Sequence, residues 1–180
     1  MTCNMKGYTL WFTGLPCSGK TAIADIVAQK LKGMGKNVER LDGDVVRKGL
    51  TNDLGFSKED RDKNISRVTF VAKLLSRNNV ATLCTFVSPY IERRNKTRQE
   101  IDEHSKFYEV FVDCPVEVCA KRDVKGMYAK AFAGEIKEFT GVDDPYENPP
   151  NPDLIIKSAE ENLDESVNKV MDFLKEQDLL

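Results

Sequence analysis

Apolar runs and amphipathic stretches take turns along the chain, and their spacing sets out its elements. Tyr8–Thr13 (YTLWFT) is apolar almost without interruption, as a strand buried on both faces should be. From Lys20 to about Met34, Ala22, Ile23, Ile26, Val27 and Leu31 fall on one helical face, and Gly33 and Gly35 close it. Asn37–Leu41 reads as a short second strand. Val45 to about Asn52 and Lys58 to about Asn78 read as helices, parted by a turn at Gly55. Val80–Val87 (VATLCTFV) is a continuous apolar run and a third strand. Ile91 to about Ser105 reads as a charged helix, Phe107–Val112 as a fourth strand halted by Pro115, and Val116–Lys121 as the start of another helix. From about Asp123 to Asp153 neither period appears, and Gly, Pro and charge dominate. Asp153–Lys157 (DLIIK) is a fifth strand, and Leu163–Leu174 an amphipathic terminal helix.

This alternation predicts an α/β fold: a doubly wound sheet of five parallel strands flanked by helices. Ligands on such sheets bind at the carboxyl ends of the strands, so function is to be read just after each one. A stretch of about thirty irregular residues inside a compact domain reads as a lid or binding loop rather than a linker.

Composition narrows the picture. A chain of 180 residues is the size of one domain with a full hydrophobic core. A net charge of −2 and the lack of a long basic run speak against nucleic acid as a partner. The densest basic stretch, Arg93–Arg98, reads as a solvated helix face or an anion-facing edge. No apolar segment reaches membrane-spanning length, and the opening residues MTCNMKG hold no apolar signal region, so a cytoplasmic protein without a membrane partner is expected. The five cysteines (Cys3, Cys17, Cys84, Cys114, Cys119) are odd in number and lack C-x-x-C spacing, which fits reduced thiols and no structural metal. Cys17 stands apart, because a thiol at a helix N-terminus is open to activation.

Gly14-Leu15-Pro16-Cys17-Ser18-Gly19-Lys20-Thr21 follows the first strand and opens the first helix. It has the G-x-x-x-x-G-K-T spacing that a polyphosphate needs. The glycines let backbone N–H groups turn toward phosphate oxygens, Lys20 reaches the terminal phosphates, and the Thr21 hydroxyl ligates Mg²⁺. The helix adds its positive N-terminal end. A nucleoside triphosphate with magnesium is the expected ligand, with no tightly bound organic cofactor.

After the second strand, Asp42 and Asp44 flank Gly43. One carboxylate can orient Mg²⁺ through water while the other accepts a proton from an attacking hydroxyl; Asp44 read alone is equally a helix cap. Arg47, one turn on, is suited to clamp an anion. After the third strand, Ser88-Pro89-Tyr90 stand where many nucleoside-triphosphatases carry a magnesium-orienting Asp, which favours a small-molecule kinase over a motor or switch. Phe56 lies in a turn, and Arg61 and Asn64 are i, i+3 neighbours on one helix face. Together they suit a flat ring carrying an anion, although Phe56 alone suits the core. In the irregular segment, Arg122, Lys125 and Lys130 are placed to close over phosphates, and Phe139 is a second aromatic in a polar loop. His104, the only histidine, reads as a surface residue at a helix end, which speaks against histidine catalysis.

Six blocks in this order, GLPCSGKT, LDGDVVRKGL, LGFSKEDRDKNISR, FVSPY, RDVKGMY and GEIKEFTGVDDPYE, resemble the adenylylsulfate kinases, and the likeness runs from about Gly7 to the terminal helix. The resemblance implies a single P-loop kinase domain over residues 1–180 with a mobile lid at about 122–133. It also implies transfer of the ATP γ-phosphate to the ribose 3′-hydroxyl of adenosine 5′-phosphosulfate, giving 3′-phosphoadenylylsulfate in sulfate assimilation. By the same resemblance, residues 14–21 and Arg122 bind ATP, Thr21 and, through water, Asp42 serve Mg²⁺, and Asp44 polarises the 3′-hydroxyl. Arg47, Arg61 and Asn64 hold the sulfate–phosphate end, and Phe56 and Phe139 sandwich the adenine. Ser88, Pro89, Tyr90 and Lys137 complete the substrate side. Ser88 matches a family serine once discussed as a phosphorylated intermediate, though direct in-line transfer is simpler. Family members are usually homodimers. Departures from the family pattern fall at Pro16, Cys17, Ala22 and the run Asn64-Ile65-Ser66-Arg67. Two rivals stand beside this reading. One is a P-loop kinase for another nucleoside or sugar-acid substrate; the other is a non-catalytic module that binds adenylylsulfate or a nucleotide, against which the intact Lys20, Thr21, Asp42, Asp44 and Arg47 count.

Overall fold

Strands that are apolar on both faces need a layer of helices on each, and the chain builds that arrangement. The computed structural model describes residues 7–180, so Cys3 and the rest of the opening six residues lie outside it. At the centre runs β1 (Tyr8–Thr13), between β3 (Ala81–Thr85) and β4 (Lys106–Asp113). Beyond β3 lies β2 (Val38–Asp42), and beyond β4 lies β5 (Leu154–Lys157), giving the order β2-β3-β1-β4-β5. All four pairings are parallel, as expected for a doubly wound sheet. Phe12 stands beside Thr85 and Val110, so β1 and β3 end within a residue of each other while β4 runs on to Asp113. The chain places β2 and β3 on one side of β1 and β4 and β5 on the other. The loop after β1 therefore opens at the switch point of the sheet, where ligands bind.

Alternate residues of β1 feed opposite layers, following the two-residue period of a strand. Leu10 and Phe12 meet α1 (Lys20–Gly33) and α7 (Leu163–Glu176) through Ile23, Val27, Leu31, Val170 and Leu174. Trp11 faces the other way, toward Ile65, Val68 and Ala72 of α3 (Lys58–Arg77) and Ile101 of α4 (Ile91–Asp102). The Trp11 ring stacks on Phe86 at 5.4 Å between centroids. Among the described residues no helix is long and apolar enough to cross a membrane.

Two segments depart from the sequence expectation. The helix expected over 45–52 is only α2 (Gly43–Val46), which starts earlier because the Asp42 side chain accepts from Asp44 N and caps it. It stops early because both Gly49 N and Thr51 N turn back to Val46 O, and Arg67 holds the turn that follows through Leu50 O and Asp53. The segment read as irregular from about residue 123 contains α6 (Met127–Phe132), separated from α5 (Val116–Arg122) by the four residues 123–126. Asp123 caps it, accepting from Tyr128 N and Ala129 N at 3.0 Å each. Buried Tyr128 packs it against Cys114, Cys119 and Phe139. A helix this short gives too few turns for an apolar period to stand out in the sequence.

Candidate active site

The loop between β1 and α1 is shaped by its glycines. Gly14 sits at φ 147, and a Cβ there would come within 2.5 Å of Val112 O; Gly19 reaches φ 104 at the start of α1. Lys20 folds back into the loop and donates to Gly14 O (2.9 Å), Leu15 O (2.6 Å) and Ser18 Oγ (3.3 Å). Burial pushes its ammonium down to about 8. Arg122, at the end of α5, donates to Ser18 O at 3.2 Å and to Ser158, beside the same loop. Cys17 is half-buried against the cluster formed by Cys114, Cys119 and Tyr128, and its thiol is free.

Just after β2, Asp42 is held by its neighbours. Its Oδ2 accepts from Thr21 Oγ1 at 2.9 Å and Thr85 Oγ1 at 2.7 Å, and its Oδ1 from Asp44 N at 3.0 Å. Burial raises this carboxyl, but the bonds from Thr85, Thr21 and Asp44 N outweigh it and hold the group below the usual range. Arg40 stands behind, bonded to Asp25 and, at 3.3 Å, to Thr85 Oγ1. Since Asp42 is the cap of α2, the alternative in which Asp44 caps it falls away. The Asp44 side chain is 70% exposed and pairs with the ammonium of Lys125.

On the far side, Phe56 is 59% exposed, which removes the core reading. The Arg47 guanidinium lies 4.3 Å from its ring centroid and donates to Gly55 O at 3.0 Å. Arg61 bonds Phe56 O (2.7 Å), Glu138 O and Thr140 Oγ1, and stands 3.6 Å from Asp144. It thereby ties the turn of Phe56 to the loop of Phe139. Asn64 is buried and its Oδ1 has no partner. Tyr90 approaches Asp144 at 3.3 Å, Pro89 O accepts from Glu147 N, and Lys137 is exposed on its loop. Phe139 corrects the expectation of an open aromatic: it is 8% exposed, edge-on to Tyr128 at 4.9 Å. Ser88 is buried at φ 46, and its Oγ accepts from Trp11 Nε1 at 2.9 Å. His104 is exposed, as expected.

Sequence reasoning missed Thr85, which completes the Asp42 cradle, and Arg94, read there as part of a solvated basic run. Arg94 is 2% exposed; it donates to Ser88 O at 2.5 Å and Glu147 O at 2.6 Å, and its Nε lies 2.7 Å from Glu109. Burial raises the Glu109 carboxyl against the pull of Arg94 and Arg98. Only the alternation of charge on a helix marked this residue, and that pattern fits a surface face as well. Arg94→Ala should destabilise the protein by about 3–5 kcal/mol in urea unfolding, because Glu109 is left buried and unpaired. The double replacement Arg94→Met with Glu109→Gln should recover part of that loss; a single-variant loss below about 1 kcal/mol would mean a solvated pair.

A glycine-rich loop at the switch point of a parallel sheet, with an Asp–Thr pair beside it, defines a P-loop phosphotransferase. Residues 6–157 match the family model described as adenylylsulphate kinase. The chain is 60% identical over 165 residues to a probable adenylyl-sulfate kinase of Pseudomonas aeruginosa, covering 92% of this chain and 76% of that relative. It is 56% identical over 173 residues to the adenylyl-sulfate kinase of Halothermothrix orenii, covering 96% and 92%. The APS kinase of Mycobacterium tuberculosis in complex with AMPPNP and APS superposes with a TM-score of 0.91 at 44% identity, over 94% of this chain and 98% of that one. A gluconokinase of Sinorhizobium meliloti, at 13% identity and a TM-score of 0.63, shares the fold alone. The chain belongs to the adenylylsulfate kinase family.

Proposed function

We propose that this site transfers the γ-phosphoryl group of ATP to the ribose 3′-hydroxyl of adenosine 5′-phosphosulfate. The observation that carries the reading is the meeting, at one sheet edge, of a phosphate loop with Lys20 in its mouth and an exposed Asp44 just after β2. Loop N–H groups and Lys20 bind the polyphosphate; Lys20 gives up its bonds to Gly14 O and Leu15 O for phosphate oxygens. Asp44 orients the 3′-hydroxyl and takes its proton as the new O–P bond forms and the bond to the β-phosphate oxygen breaks, ADP leaving with the electron pair. Arg122 flanks the nucleotide, and residues 122–133 act as a lid within a single domain.

Thr21 and Asp42 offer hard oxygen donors 2.9 Å apart, which would suit Mg²⁺ taken by the hydroxyl directly and by the carboxylate through water. Bound there, it would supply positive charge to offset that of the phosphate oxygens. Among the described residues no group of three His, Cys, Asp or Glu could cage a metal, and a phosphate-borne Mg²⁺ needs none. Ser88 acts by position: with its hydroxyl oxygen accepting from Trp11 and its carbonyl from Arg94, it fixes the Pro89–Tyr90 turn and carries no phosphoryl group.

Phe56, with Arg47 against its ring, supplies one wall for the adenine. Phe139 supplies the other once substrate draws it from Tyr128, and Arg61 sets the distance between their loops. Arg47, Asn64 and Lys137 serve the polar end of the substrate. Phe56→Ala should raise KM for adenylylsulfate by about five- to tenfold, the equivalent of ~1 kcal/mol of stacking, with KM for ATP unchanged. An unchanged KM for adenylylsulfate would place the purine elsewhere. The protein works as a homodimer, which sedimentation tests. The acceptor is tested by ADP release from Mg-ATP with adenylylsulfate against adenylate, cytidylate, shikimate and gluconate. Turnover with adenylylsulfate alone supports the proposal, and turnover with another acceptor only overturns it.

A further inference from the structure

The lid is tied to the phosphate loop at two points on either side of one lysine. Before it, Arg122 donates to Ser18 O at 3.2 Å; after it, the Tyr128 hydroxyl donates to Pro16 O at 3.0 Å. The turn between them is pinned by Asp123, which caps α6, and by Gly126 at φ 66. Lys125 projects from this turn across the mouth of the site and its ammonium rests on the Asp44 carboxylate. Asp42 and Cys17 also lie within its electrostatic reach. Lys125 thus stands between the group proposed to take the proton, the carboxylate beside Thr21, and the loop that cradles phosphate. The two side chains are 60% and 70% exposed, and an exposed pair of this kind adds little to fold stability. Its placement matters for the site instead.

We propose that Lys125 is a catalytic residue of the lid that changes partner during the reaction. With no acceptor bound, its ammonium occupies Asp44 and keeps that carboxylate from activating water. When the acceptor hydroxyl takes its place on Asp44, the ammonium passes to the γ-phosphoryl oxygens, on the side opposite Lys20. It neutralises charge there while the acceptor O–P bond forms, the bond to the β-phosphate oxygen breaks, ADP leaves with the electron pair, and the hydroxyl proton goes to Asp44. Transfer to water, which would give ADP and inorganic phosphate, is suppressed because water does not displace Lys125 as the bound acceptor does. The inference rests on the phosphotransfer reading above and adds a residue and a discrimination to it.

The test uses the full chain with Lys125→Ala and Lys125→Arg. It measures kcat for phosphorylation of adenylylsulfate, phosphate release from Mg-ATP without acceptor, and the ATP dissociation constant by equilibrium dialysis, with a thermal melt as the folding control. Lys125→Ala should lower transfer kcat about 100-fold, the scale of losing one charge-stabilising donor. Acceptor-free hydrolysis should rise above wild type at a nearly unchanged ATP dissociation constant, and Lys125→Arg should restore both. A Lys125→Ala kcat within about twofold of wild type overturns the proposal, as does a fall in hydrolysis in step with transfer. If wild type phosphorylates adenylylsulfate and Lys125→Ala does so as well, the lysine's role fails and the reaction stands. If wild type does not, the reaction itself fails.

Discussion

Lys20→Ala is expected to lower kcat by about a thousandfold or more, the upper range for removing one preorganised donor from a phosphoryl or oxyanion site. The size follows from where the ammonium sits. It is 8% exposed, in the mouth of the loop, with two loop carbonyls and Ser18 Oγ as its partners. Arg122 also bonds the loop, through Ser18 O, but Lys20 is the cation folded into its mouth, and a charge out of bulk water stabilises transferred phosphoryl oxygens more than one in solvent. Lys20→Arg should fail almost as badly, because a planar guanidinium does not fit a space shaped around a compact ammonium. Steady-state kinetics with the melting temperature as control would check this. Near-normal turnover by either variant would mean that the loop does not carry the reacting phosphate.

Asp44→Asn should lower kcat by about a hundred- to ten-thousandfold while both KM values stay within a few-fold, the pattern of a proton-accepting group lost from the transition state. The structure makes this variant clean. Asp42, not Asp44, caps α2 and receives the bonds of Thr21 and Thr85, so the Asp44 side chain has no structural duty beyond its pair with Lys125. The melting temperature should therefore hold. An effect confined to KM would make Asp44 a binding residue, and a folding defect would mean that its exposed position is more than local. Asp42→Asn offers the contrast, since it disturbs a carboxylate with three hydrogen bonds.

Most of the fold could be read in the chain because its strands are unambiguous. Tyr8–Thr13 and Val80–Val87 are apolar without a period, and glycines and prolines punctuate the helices between them. Parallel pairing followed from that alternation, and the position of the phosphate loop at the switch point followed from the pairing. The short elements were hidden. In α2 the start is decided by a side-chain cap from Asp42, and in α6 by Asp123 and a buried Tyr128, neither of which leaves a periodic trace. The site divided in the same way. Lys20, Thr21, Asp42 and Asp44 stand out because their spacing is itself the chemistry. Arg94 looked like solvent-facing charge, and only the folded chain brings Ser88, Glu109 and Glu147 around it. Phe139 looked exposed because its neighbours in sequence are polar; its neighbour in space is Tyr128. Thr85 was unreadable for the same reason, since its partner Asp42 belongs to the next strand.

The most direct measurement follows the phosphoryl group itself. The protein is incubated with Mg-ATP labelled in the γ-phosphate and with adenylylsulfate, and the label is located by mass spectrometry and ³¹P NMR. Label on the ribose 3′-oxygen of adenylylsulfate, lost in Asp44→Asn and in Lys20→Ala, is the predicted result. Label found only in inorganic phosphate, or fixed on the protein at Ser88, would contradict direct transfer from the loop to a hydroxyl held by Asp44.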